Sequence, residues 1–379
     1  MLFVIDDSIV DKLMSSPSNE TIRALNNVAM ARRMGIHLIY AEPSVFEYLK
    51  DCELLELDSR KIFSKLFSKY PEIKVYKDKL KRCIELVADD NIMHPELADG
   101  KKIIRVSINI FENYGLLTEF ILLSENLDDC SIYKLIGNIY LYWFGLTKLQ
   151  VRCFDMLGGG NTTADQYKSI QRSRNRLLLC IVDSDKKCPA STGGDTFLKL
   201  RRLHNPDELL CEYLTVDVHE IENIIPISLY REASKHDVNI LNGLTFLEKI
   251  EEQGDFQCLM CFDYKNGIRI SNLVEGRKSK TYIEYWYNII NSFGLIDCND
   301  IKQIGIFNQL DSNEQKKADR VIIKGLGTNV LNTILQKVLT DIEFDEVSEK
   351  IPDYLKRQWI DIGELVVAWG CGTDKMVAV

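Results

Sequence analysis

The sequence predicts an α/β protein: a parallel sheet flanked by helices in mid-chain, an α/β unit before it and a mainly helical region after it. Three observations predict this. Short, continuously apolar runs such as FILLS (120–124) and LLLCIVD (177–183) have the length of strands buried on both faces. Helix-length segments separate them, as in strand–helix–strand crossovers. Beyond about residue 236, apolar residues recur at helical spacing instead.

In order along the chain, residues 1–115 open with the apolar run LFVI, ended by Asp6 and Asp7. A helical stretch near 17–34 and a second strand-like run, IHLIYA, follow, which makes a small α/β unit. Residues 116–235 alternate more regularly. FILLS reads as a strand, DDCSIYKLIGNIYLYWFGL as a helix, VRCFDML as a strand, GGGNTT as a loop and TADQYKSIQRSRN as a helix. LLLCIVD is the next strand; CPASTGGD leads into the helical FLKLRRL, and CEYLTVDV resembles a further strand. In residues 236–379, VNILNGLTFLEKIEE, TYIEYWYNIINSF and TNVLNTILQKVLTDI are helical; QCLMCFDY fits a strand or a buried helical turn.

The chain has 379 residues, 46% hydrophobic and 27% charged, enough for two or three ordinary globular domains. No apolar run approaches the ~20 residues of a membrane span, so no membrane association is expected. MLFVIDDSIVDKL lacks a basic leader and meets acids at once, unlike a signal peptide. Eleven unevenly spaced cysteines fit reduced thiols, and a cytoplasmic location follows. The net charge of −9 argues against a broad nucleic-acid-binding surface. It leaves room for local basic stretches, such as Arg277, Lys278 and Lys280, and for acidic metal sites whose ion reverses the local sign.

Three acidic clusters fall where strands of the middle region end. Glu125 closes FILLS, with Asp128 and Asp129 opening the next helix; Asp183 and Asp185 close LLLCIVD; Glu220 and Glu222 lie in His-Glu-Ile-Glu-Asn after CEYLTVDV. The carboxyl ends of parallel strands form the ligand crevice of such sheets. Carboxylates gathered there repel one another, and a hard divalent cation, Mg²⁺ or Mn²⁺, relieves the repulsion. Asp183 and Asp185 address one ion together if extended backbone persists past the strand. Each cluster also has a bland reading, since Asp128 and Asp129 suit a helix N-terminus.

These segments resemble the Toprim domain, in the branch found in OLD-family (overcoming lysogenization defect) nucleases and related phage-defence proteins. The resemblance covers about residues 117–226. Glu125 matches the family's glutamate after the first strand, Asp183 and Asp185 its Asp-x-Asp, and Asp129 the added aspartate of the OLD-like branch. Glu220 to Asn223 matches its downstream Glu-Ile-Glu-Asn-like segment. Asn126 stands where the family has glycine, and asparagine is the residue that best replaces glycine at positive φ. The resemblance implies two-ion phosphodiester chemistry on DNA or RNA. Glu125, Asp129, Asp183, Asp185, Glu220 and Glu222 would be metal ligands, and Glu125, Asp129, Asp183, Asp185, Glu222 and Lys265 the catalytic set. Lys265 also reads as a turn residue before Asn266-Gly267.

Other signals carry less. Cys258 and Cys261 have zinc-like spacing but no second pair and an apolar setting, so they read as a buried structural pair. Tyr282, Tyr285, Trp286 and Tyr287 follow a basic run but have core-like helical spacing. His219 fits a phosphate contact or a solvated or core-edge residue equally. The amides of GGGNTT fit a phosphate cradle or a plain turn. There is no Walker A pattern, whereas OLD nucleases carry an ATPase in the same polypeptide; a regulatory ATPase acting in trans is therefore expected, with homodimerisation as a competing form of control. Two alternatives to a Toprim nuclease stand: a non-catalytic Toprim-shaped interaction subunit, and a PIN-type RNase in the N-terminal unit, for which Asp6 and Glu47 are the candidate acids.

Overall fold

A five-stranded sheet is built from β1 (Leu2–Ile5), β2 (Leu38–Ala41), β3 (Arg82–Val87), β4 (Met93–Ala98) and β5 (Lys101–Ser107), in the order β2-β1-β3-β5-β4. The computed structural model describes residues 1–376 apart from 91, 236 and 342. β1 pairs parallel with β2 and β3, and β3 parallel with β5. β4 turns back antiparallel through Asp99 and Gly100, both at positive φ, the backbone of a two-residue hairpin turn. Every residue of β2 is buried, whereas the edge strand β4 is largely exposed, which accounts for its polar sequence MHPELA.

A second sheet contains β6 (Phe120–Ser124), β8 (Cys153–Leu157), β9 (Leu178–Asp183) and β10 (Cys211–Val216), in the order β10-β9-β6-β8. The two-residue β7 (Gln150–Val151) pairs instead with β13 (Cys371–Gly372). β6 runs parallel to β8 and β9, with Leu122 opposite both Asp155 and Leu179. All five residues of β6 are buried, as are five of the six in β9. The helix Leu127–Trp143 follows β6 and the helix Thr163–Ser173 follows β8, the crossovers expected between parallel strands. The predicted α/β architecture with a helix-flanked sheet is thus observed.

The contacts divide the chain into two compact units. The first comprises residues 1–181, 202–214 and 358–379 and contains both sheets; β9 and β10 run on from it into the second, residues 182–201 and 215–357. The second unit is mainly helical, as expected, with one small antiparallel pair, β11 (Gly267–Arg269) and β12 (Val321–Lys324). QCLMCFDY resolves as a helix, Phe256–Cys261, with Cys258 and Cys261 buried as free thiols. Tyr282 and Trp286 are buried one turn apart on the helix Lys280–Ser292, the core role their spacing favoured. TNVLNTILQKVLTDI contains the helix Val330–Asp341; its last residue, 342, lies outside the described residues. No helix among the described residues is long and apolar enough to cross a membrane.

Candidate metal centre

In the second unit the Asp-Ser-Asp and His-Glu-Ile-Glu-Asn segments are bonded to one another. Asp183, the last residue of β9, accepts the amide of Ile221 through Oδ2 at 2.8 Å. Ser184 continues the pairing: its amide reaches the Val216 carbonyl at 2.9 Å and its hydroxyl the Val218 carbonyl at 2.8 Å. Extended backbone does not persist to Asp185, which sits at φ +54°. The expectation that Asp183 and Asp185 share one face by strand alternation is therefore corrected. The chain turns there because the Gly194 amide caps the Ser184 carbonyl at 2.8 Å, and a short polar aspartate tolerates the left-handed region.

Gly194 packs directly on that aspartate. A Cβ at 194 would lie 2.0 Å from Asp185 Oδ2 and 2.4 Å from its Cβ. Gly194→Ala therefore has to displace the Asp185 carboxylate. The expected cost is about 1–3 kcal/mol of stability, with weakened binding of divalent cation; urea unfolding and calorimetric titration with Mn²⁺ check both.

Asn223 locks the acidic segment. Its Oδ1 accepts the Glu220 amide at 2.8 Å, and its Nδ2 donates to the carbonyls of Leu259 at 2.6 Å and Phe262 at 2.9 Å. The Tyr230 hydroxyl holds the Glu222 carbonyl at 2.8 Å. These bonds pin Glu222, which is wholly buried, without touching its carboxylate. Lys265 supplies the counter-charge, with Nζ 3.2 Å from Glu222 and 3.4 Å from Glu220. The Gly327 amide bonds the Lys265 carbonyl at 3.0 Å and fixes that loop. Lys265 lies in a turn before Asn266-Gly267, as its turn reading expected, and its ammonium sits between the two glutamates. Burial lowers its ammonium, but the two glutamates outweigh burial and hold it above the ordinary lysine range. Burial first, and Glu222 second, raise the Glu220 carboxyl. Glu222 Oε2 has no hydrogen-bond partner among the described residues.

A cavity of about 390 Å³ opens beside these residues, lined among others by Asp185, His219, Glu220 and Asp263. His219, Glu220 and Asp263 bring donor atoms within 4.8 Å of one another. Asp183, Asp185 and Glu222 lie outside that tight group. His219 is not solvated: it is 5% exposed at the cavity wall, its Nε2 is 3.8 Å from Asp263, and its Nδ1 has no partner among the described residues. Asp263 is a functional candidate that sequence reasoning missed. Its signal was the Asp-x-x-Asn turn, in which Asn266 donates its amide to Asp263 Oδ1 at 2.7 Å. Burial raises the Asp263 carboxyl, but the bonds from His219 and Asn266 prevail and hold it below the usual aspartate range.

In the first unit, Glu125 follows β6 and is half-buried. Asp129 is 6% exposed and accepts the Asn126 amide at 2.9 Å and the Ser124 hydroxyl at 3.2 Å, as a helix-capping residue does. Asn126 has φ −130°, so the positive-φ role argued for it does not arise. Two amides of the glycine loop are already used: Gly158 bonds the Ser124 carbonyl at 2.7 Å and Gly159 the Glu125 carbonyl at 3.0 Å. The loop therefore braces the turn after β6 and does not present those amides as a phosphate cradle. At the first sheet, Asp6 accepts the Ser8 amide at 3.0 Å, and Glu47 is exposed on the helix Pro43–Asp51.

Compared with protein-family models, curated proteins and solved structures, the chain matches none.

Proposed function

We propose that the chain is a Mg²⁺- or Mn²⁺-dependent Toprim-type endonuclease, a cytoplasmic effector of antiphage defence. The observation that supports this reading is the bond from Asp183 to the Ile221 amide, which holds the Asp-Ser-Asp and His-Glu-Ile-Glu segments together. The donor set fits a hard divalent ion. Asp185, His219, Glu220 and Asp263 line one cavity, and His219, Glu220 and Asp263 could hold an ion there; by the resemblance Asp183 and Glu222 would join them, and Glu222 Oε2 has no hydrogen-bond partner among the described residues. The ions would supply charge stabilisation for the attacking and leaving oxygens of a phosphodiester. Lys265 stabilises charge on the phosphoryl group, and Asn223 and Gly194 hold the acids in place. Control would fall to a separate ATPase in trans, or to dimerisation.

The test is incubation of the purified chain with plasmid, single-stranded DNA and total RNA. Cleavage of at least one substrate is expected with Mg²⁺ or Mn²⁺ and none in chelator. Undiminished cleavage in chelator rejects the mechanism. No cleavage of any substrate under any condition favours the non-catalytic subunit.

A further inference from the structure

The first unit holds a separate cavity of about 740 Å³. Arg32 and four lysines line it, against two carboxylates, Glu72 and Asp374. In a chain of net charge −9, this is a local excess of positive charge.

Arg32 lies on the helix Asn19–Arg33 and is 7% exposed. Its Nη1 donates to the Thr373 hydroxyl at 2.7 Å, and among the described residues no carboxylate oxygen lies within 4.0 Å of the guanidinium. A buried charge without a counter-charge is costly, and folded proteins ordinarily pair it. Burial pulls this guanidinium down to about 10, with Glu72 and then Tyr76 acting against the fall. Glu72 is already committed elsewhere: it accepts the Tyr76 hydroxyl at 2.7 Å and Lys148 at 3.1 Å. Lys69 and Lys375 stand exposed at the rim.

We propose that this cavity binds a small phosphorylated compound, its phosphate chain taken by Arg32 within and by Lys69 and Lys375 at the mouth. The guanidinium fork suits phosphate oxygens, and flexible lysines add charge without demanding geometry. The volume lies in the range of small-molecule sites. A nucleic-acid duplex is disfavoured, because its backbone cannot reach a guanidinium this deeply recessed. The site does not depend on the nuclease reading, since it shares no residue with the acidic centre.

The test is calorimetric titration of the full chain with inorganic pyrophosphate in metal-free buffer. Parallel titrations use a nucleoside triphosphate and a single-stranded oligonucleotide. Saturable pyrophosphate binding is expected, and tighter triphosphate binding assigns a nucleotide in place of a simple phosphate. Arg32→Gln should weaken binding about tenfold or more. The double variant Lys69→Gln/Lys375→Gln, altered only at exposed positions, should weaken it comparably while unfolding like the parent. No saturable binding of pyrophosphate or triphosphate, unchanged affinity in the double variant, or binding of the oligonucleotide alone overturns the proposal.

Discussion

On the proposed nuclease reading, Asp183→Asn should abolish metal-dependent cleavage while leaving the protein folded. Asparagine keeps an oxygen where Asp183 accepts the Ile221 amide, so the join between the two acidic segments survives. What it removes is charge. Loss of one electrostatic group from a catalytic centre typically costs roughly 10²–10³-fold in rate, and a metal ligand at least as much. The measurement is cleavage of the preferred substrate beside an unfolding curve for each protein. Wild-type rates in the variant would remove Asp183 from the chemistry. A large fall in stability without metal would make its role structural. On the same reading, toxicity on expression should also depend on Asp183, and co-expression of the proposed controlling partner should relieve it.

Lys265→Ala should destabilise the metal-free protein severely. Glu222 is wholly buried, Glu220 is largely so, and Lys265 provides the positive charge between them. Taking one partner from a buried ion pair costs about 3–5 kcal/mol. The lower end applies here, because the Lys265 side chain is 28% exposed. Two conditions should rescue the variant: saturating Mg²⁺ or Mn²⁺, which replaces the lost charge, and mild acid. The sign for acid follows from Glu220, whose folded-state value lies above its ordinary one. The folded protein then binds the proton more tightly than the unfolded chain. Stability therefore rises as pH falls through the folded value towards the ordinary glutamate range. Adding Glu222→Gln to Lys265→Ala should recover most of the loss. Urea unfolding with and without metal decides this, and a Lys265→Ala protein as stable as the parent would show that the two acids do not need the ammonium.

Much of this was legible because it depends on local pattern. FILLS and LLLCIVD are apolar throughout, and only strands covered on both faces are built that way. The helix from Leu127 announces itself by its period and by the acids of its first turn, whereas the capping role of Asn126 was not read from the sequence. Less visible was the rest of the first sheet. β3 to β5 mix lysine, arginine and glutamate into their strands, which blurs the alternation, although Asp99-Gly100 is a hairpin signal in its own right.

The sequence by itself determined the α/β class, the helical second half and the order of the acids along the chain, because periodicity and residue type suffice for these. Tertiary structure alone decided what those acids meet. Nothing local announces that Asp185 turns to positive φ against Gly194, that Asp263 comes to His219, or that Lys265 settles between two glutamates more than forty residues away. Nor does anything local announce that Arg32 is buried without a carboxylate beside it. Each of these depends on segments distant in sequence, whose proximity is set by packing of the whole unit, and the electrostatic consequences of burial exist only after that packing is complete.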